Sequence, residues 1–174
     1  METKPGPRRP VSDVCRILCS NVRGLAGNLS YLTVASSQYD ILLCSETFVS
    51  DMSHVSEVLV LGFGGPVLLC RGKMPRAHGM AACIRDGYGG FRQPKFACGC
   101  CEMLFFKVCG IRQNLHVYCL YRNPDLDDRI FDCLLASMAA VHAEDLRASF
   151  LFVDDSQTGV VGFYDHEPSW SCGL

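Results

Sequence analysis

The chain opens its ordered pattern with CRILCSNV (residues 15–22), a compact apolar run that ends on polar Ser20 and Asn21, with Gly24 as punctuation. That predicts a buried strand. From Leu25 to Gln38, Leu25, Leu29 and Leu32 recur at helical spacing, Asn28 is placed to cap the start, and Asp40 introduces a second apolar run, Ile41 to Cys44. Strand, helix, strand in that order predicts an α/β sheet whose first two strands are parallel neighbours.

Four further apolar runs, Pro66 to Cys70, Gly79 to Arg85, Glu102 to Cys109 and Leu115 to Tyr121, follow without intervening helical patterns. Gly- and Pro-containing turns such as RDGYGG separate them, so hairpins and an antiparallel portion are expected and the sheet is mixed. Pro124 and Asp125 then open a helix with Ile130, Phe131, Leu134, Met138 and Val141 on one face and Asp127, Asp128, Asp132 and Glu144 outside. It leads to a last strand, Ser149 to Val153. Beyond Asp155 neither a sustained period nor a bounded strand is visible, which predicts an irregular tail. The expected organisation is a Pro/Arg-rich leader (1–12), a domain (13–155) and that tail (156–174).

Hydrophobic residues are 49% and charged residues 20% of the 174, the profile of a packed core rather than of disorder. The formal charge of −2 provides no global field for a polyanion, so any nucleic-acid contact must be local. The basic cluster Lys4, Arg8 and Arg9 sits among prolines in the leader. No apolar run approaches the roughly 20 residues of a membrane helix, and the start lacks a secretory core, so no membrane partner is expected. Most of the twelve cysteines lie inside apolar stretches, where a thiol behaves as a small hydrophobe, and an intracellular location, cytoplasmic or nuclear, fits them. Cys98, Cys100 and Cys101 invite a zinc reading, but C-x-C-C at a strand entry sends neighbouring side chains to opposite faces, and ordinary strand cysteines are expected.

Candidate chemistry lies at strand ends. Asn21, Glu46, Tyr121 and Asp155 each close an apolar run, and in sheets covered by helices such positions gather in one crevice. Taken singly they also fit a turn residue, a loop opener, an edge aromatic and a turn acid. A carboxylate with an amide nearby suits a hard cation such as Mg2+, which would polarise a phosphodiester and orient water if a general base stood opposite. His54, His78, His116 and His142 have no recognisable carboxylate partner.

ILCSNVRGL (17–25), YDILLCSET (39–47), YCLYRNP (118–124), the long helix and FLFVDD (150–155) together resemble the endonuclease domain of LINE-type (non-LTR) retrotransposons. That domain belongs to the endonuclease/exonuclease/phosphatase superfamily, related to DNase I and the apurinic endonucleases. The resemblance implies a four-layer α/β sandwich and Mg2+-dependent nicking of DNA, with Mn2+ as an alternative ion. It also implies roles: Asn21 at the phosphate and metal, Glu46 as principal metal ligand, Tyr121 on the phosphate, and Asp155 as the catalytic aspartate of a G-D-x-N motif.

There the sequence departs, with Asp154 for the glycine and Gln157 for the asparagine. The family continues through further strands to a closing S-D-H. Tyr164, Asp165 and His166 imitate that motif, but residues 156–164 are too few to cross a second sheet and return. The expectation is therefore the first sheet with its flanking helices, no second sheet, and an incomplete, inactive site. The alternatives are a nuclease completed by Asp165 and His166, or a DNA-binding module that does not cut. A sheet lacking its partner would expose an apolar face of several hundred Å2, predicting self-association.

Overall fold

A computed structural model describes residues 14–49, 62–63, 67–69, 79–93, 102–109, 114–121, 129–154 and 159–164; at 14, 67–69, 102, 121, 129–130, 154 and 159–164 it describes the backbone alone. The described elements are β1 (Val14–Asn21), a 3-10 turn (Ala26–Asn28), α1 (Leu29–Ser36), β2 (Ile41–Ser45), β3 (Val67–Leu69), β4 (Met80–Ile84) and β5 (Gly89–Arg92). They continue with β6 (Glu102–Cys109), β7 (Leu115–Tyr121), α2 (Arg129–Glu144), β8 (Ser149–Asp154) and β9 (Gly159–Tyr164).

The strands form two mixed sheets, ordered β3-β4-β2-β1-β9 and β5-β6-β7-β8. As expected, β1 and β2 are parallel neighbours, and the α/β class stands. The expected single sheet does not: the hairpin strands β5 to β7, with β8, build a second sheet instead of extending the first. Apolar pattern predicts strands but not which sheet receives them, since a strand buried on both faces reads alike in either.

Alternation along each strand shows the layering. Ile17, Cys19, Ile41, Leu43, Met80, Ala82 and Ile84 face Leu104, Phe106, Val108, Leu115, Val117, Cys119, Leu151 and Val153 in one core between the sheets. The opposite face of the first sheet, through Leu18, Leu42, Cys44, Ala81 and Cys83, packs on Leu25, Leu32 and Ala35 of the α1 segment. The opposite face of the second sheet, through Met103, Phe105 and Tyr118, packs on Leu134 and Val141 of α2. Helix, sheet, sheet, helix is a four-layer sandwich, and the face expected to stand open is covered.

Several local expectations change. The first helix starts later than residue 25, and Asn28 makes no side-chain cap; its Nδ2 donates instead to the carbonyls of Val22 (2.7 Å) and Gly24 (3.0 Å). Phe131 is 58% exposed rather than part of the buried face of α2. Pro124 and Asp125 lie outside the described residues, as do Cys70, Cys98, Cys100 and Cys101. The turn-like RDGYGG runs into β5, and the tail contributes β9, antiparallel to β1. No helix among the described residues is long and apolar enough to cross a membrane.

The buried thiols are inert. Burial pushes Cys83 up to about 11 and Cys15 and Cys19 up to about 12, so they remain protonated at neutral pH and pack as hydrophobes.

At the start of β7 a polar knot gathers around Asp145. Its Oδ2 accepts from Asn114 Nδ2 (2.5 Å) and Lys107 Nζ (3.5 Å), and its Oδ1 from the Arg147 N–H (3.2 Å). His116, buried between the rings of Phe105 and Phe150, places Nε2 3.7 Å from the same carboxylate, beyond hydrogen-bond reach, a proximity the sequence did not disclose. Burial first, and Lys107 second, hold His116 below its ordinary value of 6.5, against the opposing pull of Asp145.

Two outcomes are expected. Phe106→Ala removes a fully buried ring from the inter-sheet core and should cost about 3–5 kcal/mol in urea unfolding. Because the unfolded chain protonates His116 more readily than the folded one, its contribution is fully present above about pH 6.5 and declines as pH falls. Unfolding free energies at pH 7.5 and 5 should therefore differ less in His116→Phe than in the parent chain.

Candidate functional site

Parallel strands end on the same side, so Asn21 at the end of β1 lies opposite Ser45, and Glu46 follows directly. Adjacent strands are about 4.8 Å apart, so the backbones of Asn21 and Ser45 are neighbours and Glu46 is the next residue along. Backbone bonds extend the pairing past both strands: the Val22 N–H donates to the Ser45 carbonyl (3.0 Å), Gly24 to Glu46 (2.7 Å) and Leu25 to Thr47 (2.9 Å). The Thr47 N–H then donates to the Gly79 carbonyl at the entry to β4 (3.0 Å). Three loops are thus held in one rim.

The rim stores strain. Arg23 (φ 43°), Glu46 (52°) and Phe48 (56°) are the positive-φ non-glycine residues among those described, and all three lie here. Each left-handed side-chain-bearing residue costs roughly 1–2 kcal/mol, which the cross-loop bonds and the packing below must offset. Asn21 Oδ1 accepts from the Arg23 N–H (3.2 Å), bracing the turn. Among the described residues no side-chain bond engages the Asn21 NH2 or the Glu46 carboxylate, and both are half-buried. A carboxylate and an amide at adjacent strand ends, unengaged by the other described side chains, suit a cation or a phosphate oxygen.

On the second sheet β7 and β8 are also parallel, with Leu120 opposite Asp154. Tyr121 is the last residue of β7, and Asp155 follows β8 in the sequence. Tyr121 is placed by its backbone alone, and Asp155 lies outside the described residues.

The packing sets which ends of the two sheets coincide. Gly90, paired with Val108, touches Ile84; a Cβ there would run into the isoleucine side chain. Ile84 pairs with Ile41 at the start of β2, and Val108 with Leu115 at the start of β7. The starts of β2 and β7 therefore share one end, and in aligned sheets the finishing ends share the other. Asn21 and Glu46 come to the same rim of the sandwich as the ends of β7 and β8, while the Asp145 knot sits at the opposite end.

β9 decides against completion of the site by the tail. Gly159 pairs with Cys19 near the rim and Tyr164 with Val14, so the strand runs away from Asn21. The eight residues of β1 span roughly 25 Å. The step from Tyr164 to His166 covers at most about 7 Å. Asp165 and His166 themselves lie outside the described residues, but their attachment point is at the wrong end. Among the described residues no group of three or more His, Cys, Asp or Glu forms a metal cluster.

The strand expected from Gly79 to Arg85 forms, but sequence reasoning missed that its entry crosses this rim: Gly79 has φ +98°, and an added Cβ would stand 2.5 Å from Thr47 Oγ1. Only a glycine fits that crossing. Gly79→Ala is expected to lower unfolding free energy by about 2 kcal/mol or more, seen as a shifted urea midpoint at unchanged m.

The amino-acid sequence matches no protein-family model and no curated protein. The fold does match solved structures. An AP endonuclease, LMAP, from Leishmania major superposes with a TM-score of 0.62 at 14% identity, over 82% of this chain and 55% of that one. The human Nocturnin catalytic domain gives 0.56 at 11% identity, over 86% and 67%. TDP2 from Caenorhabditis elegans gives 0.56 at 12%, over 82% and 47%. The endonuclease domain of TRAS1, a telomere-specific non-LTR retrotransposon, is matched at 0.49 and 12% identity, too loosely to add to the others. These likenesses establish a DNase I-like α/β fold. The chain spans about half the length of LMAP and of the nematode TDP2.

Proposed function

We propose that the chain is part of a retrotransposon-type DNA endonuclease, carrying the metal- and phosphate-binding half of a phosphodiester-hydrolysing site and lacking the half that moves protons. The observation behind this reading is that Asn21 ends β1 opposite Ser45 of parallel β2, with Glu46 the next residue, and that the Asn21 NH2 and the Glu46 carboxylate are unengaged by other described side chains. Their chemistry fits Mg2+, which is commonly held through one or two carboxylates, waters and substrate phosphate rather than by an all-protein cage. Glu46 would hold the ion, and Asn21 would donate its NH2 to a phosphate oxygen. When bound, the cation supplies charge stabilisation at the phosphoryl oxygens.

Tyr121 and Asp155, one step beyond paired positions of β7 and β8, are assigned the opposite wall, Tyr121 toward phosphate and Asp155 toward water. Hydrolysis also needs a group that protonates or relieves the leaving oxygen. Asp165 and His166 are not assigned that role, since β9 runs away from Asn21 as far as Tyr164. The retrotransposon assignment rests on the order of the motifs along the chain. DNA is the partner, held by local contacts since the net charge is −2.

Two measurements test this. Mn2+, standing in for Mg2+, should bind the full chain by paramagnetic titration and lose at least tenfold in affinity in Glu46→Gln. Supercoiled plasmid should stay un-nicked with Mg2+ at protein concentrations where a complete DNase I-like nuclease cuts. Metal binding indifferent to Glu46 would overturn the site, and nicking abolished by Glu46→Ala would overturn the inactivity.

A further inference from the structure

Phe48 stands two residues after Glu46 with a left-handed backbone, is 37% exposed, and belongs to none of the three buried clusters. Its ring lies over Gly24, where an added Cβ would come 3.3 Å from Cδ2. Arg23, immediately before Gly24, is also left-handed and exposed, and no described ion pair or side-chain bond occupies its guanidinium. The left-handed backbones at Arg23 and Phe48 cost free energy, and they hold an exposed ring and a solvated cation on adjacent turns of the rim that carries Glu46. Residues kept in that state are suited to a ligand.

We infer that Phe48 and Arg23 form a nucleotide clamp on the rim, the ring stacking on a base and the guanidinium engaging the adjoining phosphate of a nucleic-acid strand. This rests on the proposed phosphodiester site at Asn21 and Glu46 and names the contact that positions the strand there. A ring offers every base a π-face and needs no long-range field, which suits a protein of net charge −2. The guanidinium presents parallel donors matched to phosphate oxygens. Gly24 is the seat of the clamp, since any side chain there would lift the ring off the turn.

The test uses the full 174-residue chain in EDTA, with single-stranded DNA carrying 2-aminopurine, and the corresponding duplex and RNA as separate arms. Stacking should quench the probe, most strongly in the strand whose base is already unstacked. Phe48→Trp should keep quenching and affinity. Phe48→Leu, which retains an apolar chain over Gly24, should lose the quenching and bind roughly tenfold more weakly, as should Phe48→Ala. Arg23→Gln should lower the slope of log affinity against log salt by about one. Thermal melts establish that each variant is folded, and Phe48 lies outside the buried cores.

Equal binding and quenching by parent and Phe48→Leu would overturn the clamp while leaving the Mn2+ result at Glu46 untouched. Phe48-dependent quenching without Glu46-dependent Mn2+ binding would support the clamp and remove the metal site. No binding of any oligonucleotide by the parent chain, even at low salt, would overturn the clamp.

Discussion

Packing of one sheet against the other through a single apolar layer is what the rest of this protein depends on. Ile17, Ile41, Leu43 and Met80 from one sheet meet Leu104, Phe106, Val117 and Leu151 from the other, all essentially without solvent contact. Because side chains alternate along a strand, filling this layer also commits every other residue to a helix-facing side, and α1 and α2 cover those outer faces. The same layer holds the strands close to parallel across the sandwich. It thereby brings the end of β1 and β2 to the rim where β7 and β8 end.

Polar chemistry is divided between the two ends of that layer. At one end, Asp145 collects Asn114, Lys107 and the Arg147 N–H, with His116 close by, so its lone pairs are used in holding the second sheet to the loop after α2. At the other end Glu46 has no such company among the described residues, and its backbone sits in a conformation that costs free energy. Both carboxylates are partly buried; what separates them is the supply of donors. The satisfied one is structural, and the unengaged one is the candidate ligand holder.

Edge pairing by β9 alters what the tail can do. By pairing with β1 along nearly its whole length, the strand protects an edge that would otherwise present unpaired N–H and C=O groups. Antiparallel direction is the decisive detail. It starts the strand near the rim and finishes it at Tyr164, opposite Val14 at the far end of β1.

Much of this was already written in the order of residues. The apolar runs ending at Asn21, Ser45, Tyr121 and Val153 are short, bounded and rich in Ile, Leu, Val and Cys, and such local signals specify strands whatever surrounds them. The parallel pairing of β1 and β2 followed from the helical spacing of Leu25, Leu29 and Leu32 between them, and with it the placing of Asn21 opposite Ser45. Strands buried on both faces carry no polar side to say which sheet they join, so the division into two sheets was decided only by tertiary packing. So were the approach of His116 to Asp145, the strand made by the tail, and the crossing at Gly79, each of which depends on segments far apart in the chain whose contact no local period encodes.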